Sequence, residues 1–466
     1  MATTAQSLSQ AALDGLAAEF GGEIVTSTSP GYDERRAVFN SMIDRRPALI
    51  ARCADESDVV AALRFARAND LEVAVRGGGH SVPGHATCDG GIVIDLSPMK
   101  RIEVDPQTRT AVAQAGLTWA EFDKATQEHA LAVTGGRVGS TGISGLTLGS
   151  GSGWLERRLG LTCDSLLAAR VVVADGRVLS VSDDEHADLF WGIRGGGGNF
   201  GIVTEFTFRL HPVGPVITAG IMIYPRERAP EVLRHYRAFI ESAPDEVGGA
   251  CAFITAPPDP ALPDHLRGKP AVGILYSHAG PVEEGERVAA KLRELPADVD
   301  MVQPMPYTVL QTLIEGPNQP GHRNYWRAEN LSSLDDAAID AFVAQAEGIR
   351  SPFTQLIILP VGGAIARTAD DATALSGRHA PWQYHALALW DDPADDDANI
   401  AWARGVSDAL APHVEPGVFL NFTSDQGESR VRSSYGAKYD RLVAIKDSYD
   451  PDNVFHLNQN IKPSRG

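Results

Sequence analysis

The chain has 466 residues, 43% hydrophobic and 22% charged, the balance of a globular protein with more than one core. Its 41 basic and 60 acidic residues leave a net charge of -19, which disfavours nucleic acid or an anionic membrane as a main partner. Cys53, Cys88, Cys163 and Cys251 are far apart with no CxxC spacing, and no stretch is apolar enough to span a bilayer. No metal site, disulfide scaffold or membrane span is therefore expected. Residues 1–22 lack the basic region and apolar core of a signal peptide, so a cytoplasmic protein is expected. The sequons at Asn330 and Asn421 are then chance matches.

Residues 55–69 read as a helix with Val59, Leu63 and Ala66 on one face. A strand-like stretch, 71–75, runs directly into Arg76-Gly77-Gly78-Gly79-His80-Ser81. Three glycines there let the backbone approach a ligand, and successive amides can cradle phosphate oxygens. Residues 91–96 and 101–105 read as strands, and 109–115 returns from the turn at Asp105-Pro106 as a hairpin. A capping box, Thr118 to Glu121, opens a helix through about His129.

The glycines between Thr141 and Trp154 would be costly inside a helix or strand, so this run is expected to be backbone packed against a ligand. Residues 168–174 and 177–182 form another hairpin. A third cluster, Arg194 to Val203, precedes an alternating strand over 202–210 with Ile202, Thr204, Phe206 and Phe208 on one face. None of the clusters contains GxGxxG between a strand and a helix, and no Walker A sequence occurs. Three glycine loops in one region favour a dinucleotide-sized cofactor over simple tight turns.

His211-Pro212-Val213-Gly214-Pro215 breaks the pattern and reads as a domain boundary. Strands follow near 217–224, 271–277, 354–361 and 384–390. Helices follow near 227–242, 282–295, 334–348 and 397–411, with proline-rich loops at 257–263 and 302–306. The tail from Ser433 returns to a helix, then a turn at 450–453.

In this order the three clusters resemble the FAD-linked oxidases of the vanillyl-alcohol oxidase/p-cresol methylhydroxylase superfamily, nearest the berberine bridge enzyme-like branch. The matching pieces are Pro47 to Cys53, Arg76 to Ser81, the glycines of 142–153, Gly160-Leu161, Cys163-Asp164, Asp188-Leu189-Phe190-Trp191 leading to Arg194–Val203, and Tyr449-Asp450-Pro451 through Asn458-Gln459-Asn460-Ile461. The resemblance is strong over 30–215 and 433–463 and loose between.

It implies an α+β fold of the two-domain, FAD-binding PCMH type. An FAD-binding domain would span 1–213, a substrate domain of a sheet covered by helices 214–419, and a segment returning to the first domain 420–466. It also implies that the loop matching Arg76, Gly77, Gly78, Gly79, His80 and Ser81 holds the FAD pyrophosphate, with His80 bonded covalently to the flavin. Further cofactor contacts are implied at Gly84, His85, Gln114, Gly116, Val138, Thr141, Gly142, Gly145, Leu146, Gly149, Gly151, Gly153, Trp154, Gly201, Ile202, Val203, Asn458 and Asn460. Some members carry a second link from a cysteine just before the second glycine run. Val138 stands there, so a single link through His80 is expected. Cys163 is expected to be a small buried residue near the flavin. Val138, Thr141 and Leu146 also match an oxygen pocket of a polyketide-oxygenating relative, although plain apolar packing would look the same.

On the substrate side the resemblance implies a tyrosine two residues before an asparagine. The chain has Phe419-Leu420-Asn421 there, and Ile357 where the oxygenating relative has a carboxylate. Tyr307, Tyr325, Trp326, Trp382, Tyr384, His385 and Asn421 remain, with ordinary core packing the favoured explanation for each aromatic. Adjacent strand residues face opposite ways, so only one of Tyr384 and His385 can face a cavity. Tyr384, His385 and Asn421 are the catalytic candidates. The expected function is an oxidase passing a hydride from a small organic substrate to FAD, with molecular oxygen as acceptor and hydrogen peroxide as product. The alternatives are a secondary-metabolite oxygenase or oxidative cyclase, and a flavin-binding protein without catalysis.

Overall fold

The computed structural model describes residues 8–417, 419–424 and 427–465, without the side chain of Leu420. Two modest sheets lie in the N-terminal part. In the first, Leu49–Arg52 and Val73–Arg76 both pair in parallel with Ile92–Asp95, and Glu23–Thr26 adds antiparallel to the edge. Helix Glu56–Ala68 makes the crossover between the two parallel partners, as a parallel pair requires. The second sheet is antiparallel, with Ile202–Arg209 between Thr110–Gln114 and Leu166–Val172.

One apolar core joins these sheets, with Leu63, Ala113 and Phe206 fully buried in it. Leu442 and Ile445 of the C-terminal helix Tyr439–Tyr449 lie in the same core. The tail is therefore packed with residues hundreds of positions earlier in the chain.

A nine-stranded sheet is built from residues 216–415. Its central strands include Pro270–His278, Val247–Thr255, Gln355–Pro360 and Trp382–Trp390, all antiparallel. Helices Ala229–Ser242, Asp336–Gln345 and Asp396–Leu410 bury Leu233, Phe342 and Val406 against one face. The other face turns toward the glycine loops.

Several elements depart from the sequence expectation. Residues Ile143–Leu148 form a short helix inside the second glycine run, with Gly142 as its N-cap. The glycines crowd its ends, and only Gly145 lies within it, where a Cβ would meet nothing. Val247–Thr255 and Arg323–Leu331 are long strands that carry no alternating signal. Gln303–Pro306 is a short strand where a proline-rich loop was expected. It pairs with Val216–Ala219 off the main strand order, a position where a missing proline N–H is tolerated. His211–Pro212 pairs with Leu131–Ala132 as well as breaking the preceding strand.

Lys446 ties the tail to the third glycine cluster. Its Nζ has no solvent access, lies 2.6 Å from Asp450 Oδ2, and donates to Asn199 O at 2.8 Å and Phe455 O at 3.0 Å. Asp450 in turn accepts from the amides of Val454 and Phe455. Burial pulls the lysine's pKa down, opposed by the Asp450 charge. Removing one partner strands a buried charge. Lys446→Met should therefore cost about 3–5 kcal/mol, read as a lower midpoint in denaturant unfolding, and Lys446→Met/Asp450→Leu should recover part of that loss. A midpoint unchanged in Lys446→Met would contradict this reading.

Candidate functional site

Strand Val73–Arg76 delivers the first glycine loop, and the second run meets it face to face. A Cβ on Gly78 would lie 2.3 Å from the Gly142 nitrogen, and one on Gly142 would lie 2.3 Å from the Gly78 nitrogen. Only glycine permits such contact. Among the described residues, no amide of 78–81 donates a hydrogen bond. These amides remain available to an acceptor.

His80 emerges from this contact. Its ring stacks on Phe39 with centroids 4.3 Å apart and planes 21° apart. Its Nε2 is 3.0 Å from Ser140 Oγ and its Nδ1 is 3.4 Å from Thr141 Oγ1. Loss of water around the ring lowers its pKa to about 4, so the imidazole is neutral at pH 7 with one nitrogen lone pair.

A cavity of about 1070 Å³ lies between the glycine loops and the inner face of the large sheet, at the upper end of the range for ligand sites. Of the residues expected at the cofactor, Gly77, Gly78, Gly79, His80, Ser81 and His85 line it. So do Val138, Thr141, Gly142, Gly145, Leu146, Gly149 and Trp154 from the second run, Gly201, Ile202 and Val203 from the third, and Asn458 from the tail.

The others lie outside the lining, each for a physical reason. Arg76 is buried beneath the loop, 3.3 Å from Asp95. Gly84 packs on Ile43, Gly116 on the Leu96 carbonyl, Gly151 on Thr162 and Gly153 on the Gly135 carbonyl. Their glycines serve chain-to-chain contact. Gln114 Oε1 accepts from the Arg101 amide at 2.9 Å on another surface. Asn460 is not part of the cavity lining, and its buried Oδ1 has no partner among the described residues. Cys163 packs with Leu161 and Phe419 in a separate apolar cluster, so neither Cys163 nor Phe419 reaches the cavity.

Strand Trp382–Trp390 divides its two candidates. Tyr384 lies in the helix-covered core and donates to Ser407 Oγ at 3.1 Å, which removes it as a catalytic candidate. His385 lines the cavity, with Phe422 against its ring at 4.3 Å. Asn421 also lines the cavity, and its Nδ2 donates to Leu146 O at 3.0 Å. The Asn421 side chain fills the space beside Gly149, where a Cβ would lie 1.8 Å from its Oδ1.

A one-way chain of amides fixes the His385 tautomer. Asn330 Nδ2 donates to Gly377 O at 3.3 Å, so its Oδ1 accepts from Gln383 Nε2 at 3.0 Å. The Gln383 Oε1 then faces His385 Nε2 at 2.6 Å and must accept from it. The lone pair is left on Nδ1, which makes no hydrogen bond among the described residues. Burial, then the nearby Arg137 charge, push the His385 pKa down to about 3.

Sequence reasoning missed Phe39, Arg137, Asn318, Gln355 and Phe422, all of which line the cavity. Arg137 directly precedes Val138, but nothing marks it as more than a surface cation. It is held by Glu156 at 2.7 Å, Ser152 Oγ at 2.9 Å and Gly153 O at 3.0 Å. Of the other aromatics considered, Trp326 lines the cavity, whereas Tyr307, Tyr325 and Trp382 do not.

The residues fit an FAD. The unpaired amides of 78–81 and the close-packed glycine loops suit a pyrophosphate. Asn458 Oδ1 and Trp154 Nε1, buried and without a partner among the described residues, offer polar contacts in the same wall. No helix among the described residues is long and apolar enough to cross a membrane.

Comparison with known proteins agrees with this geometry. Residues 47–182 match the profile of the FAD binding domain family, and residues 418–462 that of the berberine and berberine-like family. The chain is 31% identical to an uncharacterized FAD-linked oxidoreductase, YgaK, of Bacillus subtilis over 95% of this chain and 97% of that one. It is 30% identical to (R)-6-hydroxynicotine oxidase of Paenarthrobacter nicotinovorans, with 95% and 97% covered. The crystal structure of 6-hydroxy-D-nicotine oxidase from Arthrobacter nicotinovorans superposes with a TM-score of 0.85 at 29% identity, covering 96% of this chain and 98% of that one. A glucooligosaccharide oxidase from Acremonium strictum, described with a 6-S-cysteinyl, 8α-N1-histidyl FAD, shares the fold at 23% identity and a TM-score of 0.85, covering 97% and 99%.

The glycine contact gives a direct test of the cradle. A methyl group at Gly78 must push the two loops apart, and overpacking costs about 1–3 kcal/mol. In a His80→Ala background, which removes the expected covalent link, Gly78→Ala should bind flavin roughly ten- to a hundredfold more weakly, seen as a lower flavin-to-protein absorbance ratio after dialysis. Gly145→Ala, where a Cβ meets nothing, should keep its flavin. Equal retention by both variants would count against the cradle.

Proposed function

The chain belongs to the FAD-linked oxidoreductases with a berberine-like C-terminal segment, and from that premise we propose that it is an oxidase of a small organic alcohol or amine, with His80 as its single covalent link to FAD. Bound FAD supplies the two-electron acceptor, and its reoxidation by molecular oxygen yields hydrogen peroxide. The observation that carries the reading is the pairing of two neutral histidines across one cavity, His80 on the cradle and His385 on the sheet.

Each histidine has a distinct task. A lone pair on a neutral, Phe39-stacked ring suits His80 to a covalent anchor. Val138 lines the cavity where a cysteine would make a second link, and a valine can form none. His385 Nδ1 is directed as an acceptor by the Gln383–Asn330 chain, so it takes the proton of the substrate's C–OH or N–H. Asn421 braces the second glycine run and the cavity together.

Val138, Thr141 and Leu146 favour a second reading, an oxygenase, because all three line the cavity. Oxygen-18 label from O2 appearing in the organic product would select it. Label found only in peroxide selects the oxidase.

The anchor is tested by acid precipitation. The pellet should stay yellow, and the peptide spanning 76–81 should carry the flavin mass. A colourless pellet with free FAD above it would refute the link.

The base is tested by pH. The neutral form of His385 is the active one, and its pKa is lowered to about 3. Activity is therefore present above that pKa and lost only as pH falls through it. The oxidation rate should stay flat across pH 5 to 8, and His385→Gln should lower it by roughly 10²–10⁴. A rate that titrates near 6.5, the value of a solvated histidine, would reject His385 as the proton acceptor.

A further inference from the structure

The cavity wall opposite the glycine loops is the inner face of the large sheet, and it is almost wholly apolar. Ile223, Ala252, Ile254, Leu275, Ile357 and Leu387 form it. The ionic groups near it are already committed or remote. Arg137 is paired with Glu156, and Asp259 stands on the exposed 257–260 loop. Trp326 gives its N–H to Asn324. An oligosaccharide needs many polar partners, and burying its hydroxyls without them is costly. This wall does not supply them.

Beside Thr255 and Asn318, two acceptors without a partner among the described residues break the apolar surface. One is His385 Nδ1. The other is Gln355 Oε1. Gln355 is 94% buried, at 6% exposure. Its Nε2 faces Asn318 Oδ1 at 3.3 Å and Phe353 O at 3.4 Å. Asn318 Nδ2 is itself spent on Ile314 O at 2.8 Å, so Asn318 can only accept from Gln355. These contacts fix the orientation of the Gln355 amide and leave its Oε1 without a partner among the described residues, on the cavity side.

The strand register sets the spacing. Ile357 pairs with His385 and Gln355 pairs with Leu387. Gln355 and His385 are therefore diagonal neighbours on one face, about 7–8 Å apart.

We propose that the substrate is an uncharged, largely apolar alcohol with a second hydrogen-bond donor, and that Gln355 is the residue that selects for that donor. The inference rests on the oxidase reading above. The reacting C–OH gives its proton to His385 Nδ1 and its carbon loses a hydride, so a carbonyl forms. The two hydrogens and two electrons end on O2 as hydrogen peroxide. Gln355 Oε1 accepts from the second hydroxyl and takes no part in the redox step.

The test uses the flavin-loaded enzyme with 6-(hydroxymethyl)-2-naphthol, 2-naphthalenemethanol, which lacks the second hydroxyl, and cellobiose. Anaerobic calorimetry on the enzyme with its flavin first reduced by dithionite gives affinities, and a peroxide assay in air gives turnover. The wild type should prefer the naphthol over 2-naphthalenemethanol by roughly tenfold, because an acceptor left unpaired costs about 1–3 kcal/mol. Gln355→Leu should collapse that preference toward unity, and cellobiose should bind to neither form. Binding or oxidation of cellobiose in place of the naphthol would overturn the substrate class, and so would failure of both aryl alcohols to bind. A preference unchanged in Gln355→Leu would overturn the role of Gln355. Binding with the expected preference but without peroxide would leave this inference standing and defeat the oxidase reading. Peroxide from cellobiose alone would do the reverse.

Discussion

The contact between Gly78 and Gly142 sets the geometry of the site. Two backbone segments from different elements meet with no side chain between them. That contact forces the chain on either side to diverge. One branch carries His80 onto the Phe39 ring, and the other carries Val138 and Thr141 into the cavity wall. The amides of 78–81 are left unpaired because the loop leaves its sheet at Arg76, which is anchored below by Asp95. A continued strand, even at this sheet edge, would spend alternate donors on its ladder. The site depends on a strand that stops.

The opposite wall is built on the reverse logic, a strand pair that continues. Trp382–Trp390 and Gln355–Pro360 run side by side in the middle of the large sheet. Period-two alternation sends Tyr384 and Ala386 into the helix-covered core and His385 and Leu387 into the cavity. The same alternation puts Gln383 beside His385 and, across the ladder, Asn330 beside Gln383. The amide chain that fixes the His385 tautomer is thus a product of register. A slip of one residue would move every member to the other face.

Much of this was legible in the sequence, and the exceptions have physical causes. Helix Glu56–Ala68 and strand Ile202–Arg209 carry strong periodicity because one face of each meets the first core. Strand Arg323–Leu331 carries none. The Asn324 side chain accepts from Trp326, Glu329 holds Arg430 and Asn330 accepts from Gln383, so its polar residues are spent on specific partners that a sequence pattern cannot reveal. Strand Val247–Thr255 carries two glycines after Val247 because a Cβ at Gly248 would lie 2.0 Å from Trp154 O and one at Gly249 2.0 Å from Leu275 O. Its Ala250 and Ala252 are small where the cavity needs room. The glycine clusters were legible as a group but not individually. Gly78 and Gly142 serve the site, whereas Gly84, Gly116, Gly151 and Gly153 serve packing, and only the neighbour across the gap distinguishes them. Gln355 escaped notice because a glutamine in an apolar strand gives no sign of which of its two ends is already satisfied.

Both cavity histidines are kept neutral, chiefly by the same cause, loss of water. At His385 a second influence adds to it. Arg137 adds a positive charge nearby, and that charge disfavours a second cation. Glu156, Ser152 and the Gly153 carbonyl accept from the two terminal nitrogens of Arg137, while its buried Nε has no partner among the described residues. Arg137 is therefore held in place without presenting an unpaired charge to the cavity. A neutral imidazole can accept a proton from a substrate, but a protonated one cannot. Arg137, which touches neither histidine through a hydrogen bond, thus adds to the burial that keeps His385 neutral, the form that the proposed proton transfer needs.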